Sequence, residues 1–175
     1  MDIPALSTDL NFRRLTNSAE DFAFSFEVKR AAMGPHIAER WAWDENYQRM
    51  VHRDHFGEKP FFAIQRNETK IGTLSFMQGD AYIQFGEFYI LPHEQRRGLG
   101  TIILRHCLGL ADKAGLPVRL EYLKWNPVGS LYKRNGFEII GETGMHWLME
   151  RAASIKVERL VWSHAGHRGD PGPSR

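Results

Sequence analysis

The sequence predicts one mixed α/β domain, a mostly antiparallel sheet with helices on both faces. Three observations carry that expectation. First, "PFFAIQR", "KIGTLSFM" and "AYIQFGEFYIL" follow one another as strand-like runs, joined by turns at Asn67 to Thr69 and at Gly79-Asp80. Second, the period then changes: Ile103, Cys107, Leu110 and Ala114 make one helical face, flanked by Leu104, Leu108 and Ala111 and closed by Gly115. Third, "PVRLEYL" returns to a strand, so residues 81–123 read as strand, helix and parallel strand, a crossover unit.

The remaining elements follow in order. "LNFRRL" (10–15) alternates as a first strand. Asn17, with Glu20 three residues on, makes a capping-type start for a helix through about Met33, where Gly34 and Pro35 stop it. Asp44 N-caps a second helix, "ENYQRMVHRDHF", which ends at Gly57. A short helix from about Val128 to Asn135 ends at Gly136, and "FEIIGET" with "MHWLMER" form a closing hairpin around Gly144. The domain therefore spans 10–151, after an N-terminal extension of residues 1–9. A tail of residues 152–175 follows, in which "AASIKVERLVW" reads as one more helix or strand before a disordered Gly/Pro-rich end.

A chain of 175 residues is about one domain's worth and buries roughly 70% of its unfolded surface without a cofactor or disulfide. The formal charge of +2 is too small for a nucleic-acid partner, which needs a basic stripe. A basic RNA-binding surface of Arg96, Arg97, Lys133 and Arg134 would lack aromatic stacking partners. Cys107 is the single cysteine, so a reducing compartment is expected. "MDIPALSTDL" does not read as a signal peptide, and no run approaches the roughly 18 apolar residues of a membrane span. The expectation is a cytoplasmic protein, with no membrane and no nucleic acid among its partners.

The chemistry is concentrated at "PHEQRRGLGTIILRHC" (92–107). A strand exit, Gly98 and Gly100, and an immediate helix place free backbone N–H groups at the positive end of a helix dipole. Such a junction binds anions, and Arg96 and Arg97 add side-chain charge. The Gly-x-x-x-x-Gly-Lys-Ser/Thr phosphate loop is absent. The dinucleotide fingerprint also fails, because Ile103 stands where a third small residue should pack.

Gln95-Arg96-Arg97-Gly98-Leu99-Gly100, preceded by "YILP", resembles the pyrophosphate loop of the GNAT superfamily of N-acyltransferases. A second block, "WNPVGSLYKRNGFEIIGET", resembles that family's later segment, with Asn126, Leu131-Tyr132 and Gly136-Phe137 in its frame. The spacing from Asn126 to Tyr132 is six residues, where many members have seven. The resemblance implies the GNAT fold over about residues 10 to 151: about seven mostly antiparallel strands, splayed between strands 4 and 5. It implies acetyl-CoA, or another acyl-CoA, as acyl donor, a small-molecule or peptide amine as acceptor, no metal, and direct attack in a ternary complex. A homodimer stays open, as does a catalytically silent CoA-binding module.

Residue by residue, the resemblance puts the pyrophosphate on Gln95, Arg96, Arg97, Gly98, Leu99, Gly100 and Thr101, and the pantetheine along Tyr89 and Ile90. Asn126 either hydrogen-bonds the pantetheine or caps the following helix. Tyr132 is the candidate general acid for the departing thiolate, or a ring packed on the sheet. A lysine-like amine with pKa about 10.4 is deprotonated to about one part in two thousand at pH 7, so a base helps. Glu87, a lone acid on a mostly apolar strand, is the candidate, with ordered water as the alternative and Gln84 unable to serve. In "ERWAWDENY", Trp41, Trp43 and Asp44 stand where the family builds its acceptor site, and cation–π contact with an ammonium is one reading of them. Core packing and helix capping are the other. His52 and His55 read as a solvated helix face rather than metal ligands, and Cys107 as a core thiol.

Overall fold

Four consecutive apolar positions, Phe61 to Ile64, are buried because the strand that carries them is covered on both sides. In the computed structural model, which describes residues 2–154, this strand is β2 (Phe61–Arg66). Among the described residues it belongs to a seven-stranded sheet of order β1-β2-β3-β4-β5-β7-β6. The others are β1 (Leu10–Arg14), β3 (Thr69–Gln78), β4 (Ile83–Ile90), β5 (Val118–Leu123), β6 (Glu138–Glu142) and β7 (His146–Arg151). All pairings are antiparallel except β4 with β5. A parallel pair needs a crossover, and α3 (Leu99–Ala114) supplies it.

Phe62 and Ile64 face the larger core, where α3 inserts Ile103, Leu104, Cys107, Leu108 and Ala111. Each fully buried Leu or Ile there contributes about 1.5–3 kcal/mol. Cys107 is wholly buried and its thiol is pushed up to about 12, so it packs and does not react. Phe61 and Ala63 face the opposite side and meet Phe56 of α2 (Glu45–Glu58) and Phe22 of α1 (Ala19–Ala38). Among the described residues no helix is long and apolar enough to cross a membrane.

Two helix boundaries differ from expectation. Ser18, not Asn17, caps α1: its side chain accepts from the Asp21 N–H at 3.1 Å, and Asp21 then takes a two-pronged contact from Arg13. The helix also runs through Gly34 and Pro35 to Ala38. Proline costs a helix one internal hydrogen bond, but here tertiary contacts hold the last turn. Gly34 lies under the Trp43 ring, and the Trp125 indole N–H donates to the His36 carbonyl at 2.8 Å. "AASIKVERLVW" falls mostly outside the described residues.

β4 and β5 pair only at Ile83 with Val118 and Gln84 with Arg119, and then part. From there β5 is held by β7 along its whole length. On its other edge β4 is bulged against β3, the register shifting between Thr73 and Ser75, and Glu87 takes a left-handed φ of 47°. Gly72 permits this approach, since a Cβ there would stand 2.3 Å from the Tyr89 carbonyl oxygen. The splay and the bulge together turn the second half of β4 towards α1 and α2.

His52 overturns the solvated face expected for α2. It is fully buried among Phe22, Phe26, Phe56 and Phe61. Ser25 Oγ gives its proton to the Phe22 carbonyl, so His52 Nε2–H donates to Oγ at 2.8 Å and Nδ1 has no partner among the described residues. Burial pushes this imidazole down to about 4 from 6.5. A depressed folded value makes the contribution of neutral His52 complete above pH 6.5 and lost as pH falls through 4, a span worth roughly 3 kcal/mol. Thermal unfolding between pH 4 and 7 should show a shallower pH dependence for His52→Phe than for the wild type. Identical slopes would mean that His52 is not neutral in the fold.

Candidate active site

The loop after β4 is shaped by contacts within itself. A single 3-10 turn, Pro92–Glu94, leads into it. Glu94 is buried and pairs with Arg66 at 2.5 Å and Arg97 at 3.5 Å, and Gln95 Nε2 donates back to the Ile90 carbonyl at 2.7 Å. Arg96 (φ 61°) and Gly98 (φ 76°) are both left-handed, so the chain turns sharply before α3 begins at Leu99. The first-turn amides of Leu99, Gly100 and Thr101 have no acceptor within the helix. Among the described residues nothing lies within 4 Å of where a Gly98 Cβ would stand, which leaves room for an anion. Gln95 contributes by fixing the strand exit, while Arg96 is exposed and makes no ion pair among the described residues.

A cavity of ≈ 610 Å³ opens where β4 and β5 part, walled by α1, the α1–α2 loop, α2 and the β6–β7 turn. Glu87 forms part of its floor. Its carboxylate, 6% exposed, accepts from His55 Nδ1 at 2.8 Å, Lys59 Nζ at 3.2 Å and the Tyr89 hydroxyl at 3.2 Å. Burial would raise its pKa, but the His55 hydrogen bond and the Lys59, His55 and Lys29 charges outweigh that and hold it at about 2. Such a carboxylate is a permanent anion. Taking a proton directly from an ammonium of pKa about 10.4 would cost on the order of 11 kcal/mol, so the expectation of Glu87 as the direct base does not fit its surroundings. His55, dismissed on sequence, lines the cavity beside it.

Tyr132 stands on α4 (Gly129–Arg134), one residue after Leu131, which lies 3.6 Å from the Cβ position of Gly100. The loop and α4 are therefore neighbours. Tyr132 is buried, with its ring 5.7 Å from Tyr122 and 5.8 Å from Phe137, and burial pushes its phenol above the ordinary value. Its hydroxyl has no hydrogen-bond partner among the described residues. Tyr122, on β5, lines the cavity, as Tyr132 does not. Asn126 also lines it; its Oδ1 accepts from the Val128 N–H at 3.0 Å and so caps the turn into α4, while Nδ2 faces Met33 Sδ at 3.6 Å.

Of the tryptophans, Trp41 reaches the cavity, half exposed and edge-on to Trp125 at 5.1 Å. Trp43 does not line it: its indole N–H donates to Glu45 at 2.8 Å and its ring packs at 6.3 Å on Phe26. It belongs to the packing of α1 on α2. Asp44 lines the cavity while capping α2, accepting from the Tyr47 N–H at 3.0 Å.

The family model described as an acetyltransferase (GNAT) domain matches residues 56–139, which run from the end of α2 through the loop and α4 into β6. This segment of the chain is similar to the GNAT acetyltransferase domain. No protein of curated function matches the chain by sequence. Among solved structures, the GNAT fold seen here superposes on PaiA N-acetyltransferase from Thermoplasma acidophilum, in complex with coenzyme A. That match has a TM-score of 0.66 and 22% identity over 83% of this chain and 99% of that one. The ribosomal-protein-S18-alanine N-acetyltransferase of Escherichia coli matches with a TM-score of 0.61 and 17% identity, over 86% and 98% of the two chains. An acetyltransferase from Streptococcus agalactiae matches with a TM-score of 0.62 and 12% identity, over 83% and 99%.

Within the GNAT frame the loop is the most local part and the acid–base groups the least. Glu94, His55, Lys59, Tyr122 and Lys29 were missed as site residues on sequence. Only for Glu94 was there a local signal, an acid three residues before Arg97 in a loop otherwise built for anions. The others come together from α1, α2, β4 and β5 only when the sheet forms.

Proposed function

We propose that the chain is an N-acetyltransferase that moves the acetyl group of acetyl-CoA to a primary amine by direct attack in a ternary complex. The observation that carries this reading is the opening of β4 from β5 beside a cavity, with the anion loop at the far end of the same strand. Gly98, Leu99, Gly100 and Thr101 offer amides to the donor's pyrophosphate, and Arg96 and Arg97 offer charge. Acetyl-CoA supplies a thioester. Unpaired N–H groups on the opened edge of β4 favour the negative charge that grows on the thioester oxygen.

His55 is the proton acceptor in this reading, and Glu87 is its positioning residue. Because Nδ1–H donates to Glu87, the neutral ring carries its lone pair on Nε2. The amine nitrogen forms a bond to the thioester carbon, its proton passes to His55, the carbon–sulfur bond breaks, and the leaving thiolate takes a hydrogen bond from the Tyr132 hydroxyl before solvent protonates it. The acceptor is a small molecule or a peptide end, and the setting is the cytoplasm. The rival reading, a silent CoA-binding module, keeps the loop but makes the His55–Glu87 pair inert.

Gly98→Val tests the donor half. A β-branched residue at φ 76° costs about 1–2 kcal/mol, and its side chain fills space that the loop leaves open. Calorimetry should show CoA affinity reduced by at least about 10-fold, with the circular dichroism spectrum preserved. Unchanged affinity would place the phosphates elsewhere.

A further inference from the structure

The acceptor side of the cavity holds a positive charge that no described residue pairs. Lys29 lies on α1, is 6% exposed and lines the cavity. Among the described residues its ammonium makes neither hydrogen bond nor ion pair. It feels the field of Glu87, opposed by that of Lys59. Glu87 is already engaged, with Oε1 accepting from His55 and Lys59 and Oε2 from Tyr89. Burial pushes Lys29 below its ordinary value, which is the mark of an ammonium short of compensation. A buried cation without a partner is costly unless an anion reaches it from outside.

The identity of that anion follows from where Lys29 stands. No residue of the 92–101 loop lines this cavity, so the donor's pyrophosphate is accounted for at the other end of β4. Lys29 instead shares its wall with Trp41, Asp44, His55 and Lys59. Asp44 and Glu121 also line the cavity, but a polyamine or aminoglycoside would bring no anion to the buried Lys29 ammonium. A cavity of ≈ 610 Å³ that must also admit the donor's arm suits a small acceptor.

We infer that Lys29 receives the carboxylate of the acceptor, and that the acceptor is a small amino acid whose amine is directed to His55. This rests on the transferase reading above and names its substrate class. In such a molecule amine and carboxylate sit a few bonds apart, matching a site in which Lys29, His55 and Glu87 line one cavity.

The test uses the full chain and follows free-CoA release with the common L-amino acids, each beside its C-terminal amide, and with spermidine and phosphoethanolamine. The expected result is an amino acid used roughly 100-fold better than its amide, the scale of one charged hydrogen-bonded contact. Lys29→Met should erase that preference by raising the KM for the amino acid rather than lowering kcat. Titration of the same amino acid into CoA-saturated protein should show binding that Lys29→Met abolishes. The inference is overturned by equal use of acid and amide, by preference for spermidine or phosphoethanolamine, by no amino acid reacting or binding, or by a Lys29→Met loss confined to kcat. Lys29-dependent binding without any transfer would keep the carboxylate site and reject the transferase reading. Transfer to amines without a carboxylate preference would do the reverse.

Discussion

Tyr132→Phe is expected to lower kcat by roughly 100-fold while CoA affinity stays within about twofold, the size of effect usual for losing a general acid. The reason lies in where the phenol sits. Burial against Tyr122 and Phe137 holds its proton more firmly than in water, so the hydroxyl is a firm hydrogen-bond donor and a reluctant proton donor. A departing thiolate with a Cys-like pKa of about 8.5 is stabilised by that donor as negative charge builds on sulfur. The phenylalanine variant keeps the ring packing and removes only this bond.

Tyr122→Phe is the control, because Tyr122 rather than Tyr132 lines the cavity. Its hydroxyl wedges against the start of α4, where a Cβ on Gly129 would come within 2.3 Å of it. A stopped assay on both variants separates the two. If Tyr122→Phe suffers the larger loss in kcat, the acid role moves to β5 and Tyr132 is packing alone.

The parts of this molecule that could be read from sequence are those encoded by neighbours in the chain. Asp44 caps its own helix, Gly115 ends α3 at φ 67°, and the glycine loop sits where strand meets helix. The strand runs and the splay between strands 4 and 5 also emerged as expected. Misreadings arose where a distant group decides. Pro35 should end α1, but Trp125, far along the chain, holds the turn after it. His52 and His55 look alike in "VHRDHF", yet one is sealed among four phenylalanines and the other faces Glu87. Glu87 is singled out by its apolar strand, but its left-handed bulge and its three donors come from β3, α2 and Tyr89 together. Trp41 and Trp43 are two residues apart and part company because one contacts Trp125 and the other Phe26.

Replacing Glu87 with glutamine should cost stability and turnover at once. The folded carboxyl titrates at about 2 against an ordinary 4.5, a difference worth roughly 3 kcal/mol. Because the folded value is depressed, that contribution is complete above pH 4.5 and is lost as pH falls through 2. At neutral pH the variant should melt about 6–12 °C below the wild type, and the gap should narrow in acid. A gap that does not change with pH would show that Glu87 acts through packing rather than charge. In turnover, His55 loses the carboxylate that holds its Nδ1–H and so keeps Nε2 free, and the plateau of kcat/KM should fall. An unchanged plateau would leave proton removal to water. Lys29 separates the two roles further: without the Glu87 anion its charge is left less compensated, so the requirement for an acceptor carboxylate should grow stronger in Glu87→Gln even as turnover drops.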